Sequence, residues 1–164
     1  MTVGCRERKG HLTAVANHRL IRQQWIPRPL EETFAFFAKP ENLQEITPPF
    51  LQFRIARAEP ELHAGSLIDY RLRIHGFPVR WTSEIAVWEP PHRFIDTQVR
   101  GPYALWQHQH GFAALGDGTL ISDEVQYALP LGFLGEIARV LMVRRDVEQI
   151  FEYRRKKLEE LLGN

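Results

Sequence analysis

Apolar and polar positions alternate along this chain in two regimes. Between Phe50 and Leu129 the period is close to two. Six runs carry it: FLQFRIARA, SLIDYRLRIH, VRWTSEIAVW, RFIDTQVR, YALWQHQHGFAAL and TLISDEVQYAL. Such alternation marks half-buried strands. Turn-forming residues separate the runs at Pro60 to Gly65, His75-Gly76-Phe77-Pro78, Glu89-Pro90-Pro91-His92, Gly101-Pro102 and Gly116-Asp117-Gly118. Strands joined by such short connections form an antiparallel meander. A further strand, His18 to Ile26, ends at Pro27-Arg28-Pro29, where proline cannot extend a ladder.

The other regime is helical. LEETFAFFA sets Leu30, Phe34 and Phe37 at helical spacing, with Glu31 and Glu32 in the first turn where the helix dipole favours them. A second short helix is expected from Pro40 to about Ile46. From Gly132 or Phe133 to Leu162 a long helix carries the stripe Leu134, Ile137, Leu141, Val147, Phe151, Leu158 and Leu161 or Leu162. Its basic residues, Arg154 among them, read mostly as a solvated face. The class is therefore α+β: a seven-stranded curved antiparallel sheet around a long C-terminal helix, with two short helices after the first strand. A helix narrower than the sheet leaves a space at one end, the usual place for a small-molecule cavity.

Turn lengths assign the faces. Around Gly116-Asp117-Gly118, either even-numbered loop places Trp106, His108, His110 and Phe112 on one face with Ile121, Asp123, Val125, Tyr127 and Leu129. That face is the more apolar one and so points inward. The loop centred on Asp117-Gly118 would set Asp123 diagonal to His110. Around His75 to Pro78, Ile68, Tyr70 and Leu72 face inward with Trp81, Ser83 and Ile85. By the same parity His75 and Trp88 face outward. The run from Arg93 to Arg100 stays open: Phe94, Asp96, Gln98 and Arg100 face inward, or a bulge near the prolines puts Ile95 and Val99 there.

Composition narrows the class. The 164 residues suit one domain, read as 18–164 behind a mobile polar tail at 1–17. A net charge of +1 argues against nucleic acid as a partner, and no apolar run is long enough for an integral membrane segment. A single cysteine, Cys5, excludes an internal disulfide, and with no secretory signal the expected location is cytoplasmic. No phosphate-binding glycine motif and no Gly-x-Ser-x-Gly occurs.

The order of elements and several motifs resemble the START-like, helix-grip superfamily called SRPBCC, which includes polyketide cyclases and lipid-transfer domains. The resemblance rests on Ile26-Pro27-x-Pro29-Leu30-Glu31-Glu32, Asn42-Leu43-x-x-Ile46-Thr47-Pro48-Pro49, Trp88-Glu89-Pro90-Pro91-x-Arg93-Phe94, Gly101-Pro102-Tyr103 and Trp106-x-His108-x-His110-x-Phe112. It continues through Tyr127-x-Leu129-Pro130-x-Gly132 and Ile150-Phe151-x-Tyr153-Arg154. It spans about residues 18 to 162 and is similar to small bacterial ligand-binding proteins of the cyclase/dehydrase type. It implies a carrier or sensor of a hydrophobic small molecule (lipid, isoprenoid or polyketide-like), without cofactor. Two alternatives stand beside it: a cofactor-free cyclase/dehydratase, and an interaction module for a partner enzyme.

Within that frame, His108, His110 and Asp123 are the candidate acid–base groups. The candidate ligand-binding wall adds Tyr70, Trp81, Trp106 and Phe112, then Tyr127 and Leu141. His108 and His110 form only half a metal site, with no third ligand assigned beyond Asp123; no metal is expected. Open sheet edges leave a homodimer available.

Overall fold

The computed structural model describes residues 18–130 and 136–163, with side chains from residue 140 onward in the second segment. The expectations for the tail at 1–17 and for Leu134 and Ile137 in the stripe lie outside these residues. The elements are β1 (His18–Ile26), α1 (Leu30–Phe37), α2 (Pro40–Glu45), a 3-10 turn (Pro49–Leu51), β2 (Arg54–Arg57), β3 (Leu67–Ile74), β4 (Phe77–Glu89), β5 (Arg93–Arg100), β6 (Leu105–Leu115), β7 (Gly118–Ala128) and α3 (Glu136–Leu162).

All seven strands join one antiparallel sheet in the order β1-β7-β6-β5-β4-β3-β2. The chain therefore runs as a meander from β2 to β7, and β1 closes on β7. One face of the sheet is covered by α3 and the two short helices, the expected architecture. Proline does the local punctuation: Pro29 precedes the first turn of α1, and Pro40 opens α2, where a missing N–H costs nothing.

Two hairpins turn on two residues. His75 and Gly76 take left-handed φ values of 51° and 82°, and Ile74 pairs with Phe77. At the β6–β7 hairpin, Gly116 has φ 63° and Leu115 pairs with Gly118. Such turns match the right-handed twist of the strands they join. Both registers lie two residues from the loops centred further along, so the face assignments hold: Trp106, His108, His110 and Phe112 do share the inner face with Ile121, Asp123, Val125 and Tyr127. Asp123, however, stands directly opposite His110, not diagonal to it.

The open strand, β5, is settled by two bulges. Ile85 pairs with Asp96 and Val87 with Ile95, leaving Ala86 as the extra residue. Thr82 pairs with Arg100 and Ser83 with Gln98, leaving Val99 extra. Phe94 and Asp96 thus face inward, while Arg100 and Val99 turn out to solvent. The bulge at Ala86 also reverses the parity of the strand end. Trp88, expected outside, lies inside opposite Phe94 and packs on Phe34 at 5.2 Å between ring centres.

The core sits between sheet and helices. Phe34 and Phe37 of α1 meet Phe94 and Phe112 of the sheet near one end of the groove, while Val147 and Phe151 of α3 pack on Val125 and Tyr127. Leu158 closes the C-terminal end of α3 onto the first cluster.

Candidate functional site

Between α3 and the sheet lies a cavity of about 510 Å³. That volume lies within the range of pockets that enclose small organic ligands. Its apolar wall includes Phe37, Leu43 and Ile46 from the short helices, Trp81 and Trp106 from the sheet, and Val143 and Ile150 from α3. Trp81 stacks on Tyr70 with ring centres 5.8 Å apart and meets Trp106 edge-on at 5.3 Å. His75, Gly76, Phe50 and Met142 also belong to the lining, and all four are exposed, which places the rim there. His75 was expected on the outer face. The left-handed turn instead carries its ring to α3, where Nε2 lies 2.7 Å from Asp146 Oδ2.

One wall is polar, and three neighbouring strands build it. Asp96 of β5 is directly opposite His108 of β6, and His110 of β6 is directly opposite Asp123 of β7. His108 and His110 are 6% and 4% exposed, and their rings lie 3.7 Å apart. Phe94 stacks on His110 at 4.1 Å, which fixes that ring against the sheet.

The hydrogen bonds define the protons. Asp123 Oδ1 is 2.9 Å from His108 Nε2, and since a carboxylate only accepts, His108 carries its hydrogen on Nε2. His110 Nε2 donates in the same way to Asp96 Oδ2 at 3.0 Å. His110 Nδ1 lies 3.3 Å from Arg154 Nη2 and 3.2 Å from Asp123 Oδ1; with the ring hydrogen on Nε2, it accepts from Arg154. It leaves His108 Nδ1 with a lone pair, 3.7 Å from Asp96 Oδ2. The chain of contacts continues outward: Ser83 donates to Asp96 at 3.4 Å, while Tyr70 and Trp81 reach the Ser83 hydroxyl, each at 3.1 Å.

The electrostatics follow from this packing. Burial, reinforced by His110, pushes the His108 imidazole down to about 4 despite Asp123 and Asp96, so it is neutral at pH 7. Burial alone would raise the Asp123 carboxyl; Arg154 and the two histidines outweigh it and hold that group well below the usual carboxylate range. Asp96 is lowered by the same balance, burial opposing it and His110, His108 and Arg154 prevailing. Burial and Asp96 hold the Tyr70 phenol well above its ordinary range. Two ionised carboxylates therefore face one guanidinium inside the fold.

Of the sequence candidates, Tyr70, Trp81, Trp106, His108 and His110 line the cavity. Three others stand behind the lining. Phe112 packs among Phe34, Phe37 and Phe94; Tyr127 packs on Val147 and Phe151; Asp123 lies 7% exposed beneath the histidine rings. Leu141 is a correction: it is 60% exposed on α3, because the buried phase of that helix runs through Val143, Val147, Ile150 and Arg154. Arg154, assigned to the solvated face, is 7% exposed, its guanidinium over the Phe37 and Phe151 rings at 5.2 and 5.7 Å. Its spacing from Val147, Phe151 and Leu158 is helical, a signal present in the sequence but overridden by its charge. Asp96 and Ser83 complete the polar wall; Asp96 depended on the strand whose face two bulges decide.

Comparison with known proteins agrees with this architecture. The family model described as polyketide cyclase / dehydrase and lipid transport matches residues 26–152, and the chain belongs to that family. Among solved structures, TTHA0849 from Thermus thermophilus is 19% identical, with TM-score 0.63 over 86% of this chain and 97% of that one. Protein CV1439 from Chromobacterium violaceum is 16% identical, with TM-score 0.67 over 89% and 97%. The ginseng major latex-like protein 151 from Panax ginseng is 19% identical, with TM-score 0.55 over 81% and 96%. These likenesses establish the helix-grip fold. No curated protein matches the chain. Among the described residues, no helix is long and apolar enough to cross a membrane.

Proposed function

We propose that the protein binds a hydrophobic small molecule with one polar end, as a carrier or sensor. One observation supports this above the others: the cavity of about 510 Å³ is apolar along most of its wall, with Tyr70, Ser83, Asp96, His108 and His110 forming one polar stretch on the sheet. The apolar body of a lipid, isoprenoid or polyketide-like molecule would lie along Trp81, Trp106 and Ile150. Its oxygen-bearing end would meet Tyr70 and the Asp96–His108–His110 wall. Native mass spectrometry of protein taken directly from cells tests the reading, with a copurified apolar ligand as the expected result. Ligand-free protein that also fails to bind fatty-acyl and isoprenoid probes, read by Trp81 and Trp106 fluorescence, would sink it.

A second reading has its own support. His108 offers a neutral imidazole with a free Nδ1 lone pair beside an ionised carboxylate, an arrangement suited to moving a proton on a bound substrate. The family description includes cyclase and dehydrase members. Under this reading, His108→Gln removes turnover of a polyketide-like substrate while binding survives. Under carriage alone, the variant changes affinity and no turnover exists to lose.

A further inference from the structure

The polar wall also has the composition and spacing of a transition-metal site. One ligand atom from each of Asp96, His108 and His110 falls within 4.8 Å of the other two. His110 Nε2 and His108 Nδ1 lie 3.0 and 3.7 Å from the same oxygen, Asp96 Oδ2. Nitrogen and oxygen ligands at about 2.0–2.2 Å from a shared ion stand about 3 to 3.6 Å apart at octahedral or tetrahedral angles. The two distances to Asp96 Oδ2 lie at or just beyond that range. The three residues stand on neighbouring strands, β5 and β6, so their backbone positions are held by the ladder.

Asp123 supplies an independent observation. Its Oδ1 lies 2.9 Å from His108 Nε2 and 3.2 Å from His110 Nδ1, the two ring nitrogens turned away from Asp96. A carboxylate that accepts the N–H of the non-ligating nitrogen fixes ring orientation and leaves the other nitrogen unprotonated toward an ion. Here one carboxylate is placed to do this for both rings. The third observation is the open side. Asp96, His108 and His110 all line the cavity, so three protein ligands would leave positions facing bound ligand or water.

We propose that Asp96, His108 and His110 bind one divalent first-row transition-metal ion, with Asp123 orienting both imidazoles. Two imidazoles and one carboxylate suit Fe²⁺, Co²⁺ or Zn²⁺ better than Mg²⁺ or Ca²⁺, which prefer all-oxygen sets. The charges favour it too, since the buried Asp123 and the part-buried Asp96 face one guanidinium and the ion offsets the excess. Binding re-pairs Arg154. With Nε2 of His110 on the ion, its Nδ1 carries the hydrogen and no longer accepts from Arg154 Nη2. Asp123 Oδ1, now 3.9 Å from that nitrogen, is then an acceptor within reach. The Arg154 Nε, buried with no hydrogen-bond partner among the described residues, marks a side chain not yet fully paired. The open coordination positions would take an oxygen-bearing group, such as a carboxylate, enolate or hydroxyl, on an apolar molecule.

The test uses the full chain after chelation and dialysis, titrated with Co²⁺ followed by visible absorption and with Zn²⁺ by calorimetry. The expected result is one ion per chain, with affinity lowered at least 100-fold by Asp96→Asn, His108→Gln or His110→Gln. Asp123→Asn should lower it about 10- to 100-fold while keeping one ion per chain. His92→Asn, exposed in the β4–β5 turn and outside the cavity lining, should change nothing. No saturable binding by the wild type overturns the proposal without recourse to variants. So does one-to-one binding that survives in a folded His108→Gln/His110→Gln double variant. Repeating the titration on delipidated protein separates the two readings: one ion bound with no uptake of fatty-acyl or isoprenoid probes strikes the carrier reading alone.

Discussion

At the scale of single residues, His108 and Arg154 carry opposite obligations. His108 is held neutral inside the fold at about 4, against an ordinary value of 6.5. As pH falls below 6.5, the unfolded chain takes up a proton that folded, metal-free protein refuses. Stability from this residue is therefore complete above pH 6.5 and drains away between 6.5 and about 4. The loss is about 3 kcal/mol at most. The lowered Asp96 and Asp123 add a further loss at lower pH, as they protonate. Thermal unfolding across pH 4 to 7 should show the slope in wild type and a flatter one in His108→Gln. Equal slopes would mean that His108 titrates normally in the fold. Arg154 compensates the two carboxylates, so Arg154→Met at pH 7 should cost about 3–5 kcal/mol. Urea unfolding checks this, and a cost below about 1 kcal/mol would place the guanidinium in solvent.

At the scale of elements, bulges in the β4–β5 pair do the most to shape the site. Without the extra Ala86, the parity counted from the β3–β4 turn would leave Trp88 outside; with it, Trp88 packs on Phe34 and Phe94. Trp88→Ala should therefore destabilise by about 2–4 kcal/mol, as loss of a packed aromatic does. Near-neutral chemical denaturation would return Trp88 to the surface. The β6–β7 hairpin behaved differently. Both even-numbered loops conserve the inner face, so the inward row of Trp106, His108, His110 and Phe112 was readable from the turn alone. The pairing of His110 with Asp123 was not, because a slip of two residues changes neighbours without changing faces. Helix α3 was legible in most of its phase: Val147, Phe151 and Leu158 of the expected stripe are buried, whereas Leu141 is exposed and Arg154, read as solvated, takes a buried position.

At the scale of the whole molecule, the cavity is the space left between the sheet, α3 and the short helices, walled by Trp81, Trp106, Phe37 and Ile150. Filling it should leave the fold and remove the ligand. Val143→Trp, on the α3 wall, is expected to cost about 1–3 kcal/mol in stability and to abolish copurification of an apolar ligand by native mass spectrometry. Retention of ligand by this variant would move the binding site elsewhere. The hydrogen-bond contact of His75 with Asp146 ties the β3–β4 turn to α3 at the rim, a contact across 71 residues that no local pattern announces. Period, turn chemistry and helix spacing are local quantities. The sequence by itself therefore determined the order of elements, the meander, the inward histidines and the family. What only the tertiary structure decided depends on where separate strands and a helix meet. Bulges turn Asp96 and Trp88 inward, register sets Asp123 against His110, and the curvature of the sheet brings Arg154 over both. The pair His108 and His110 was visible from the start as a polar patch on an apolar wall; the groups that set its protons, and complete it as a site, come from strands and a helix far along the chain.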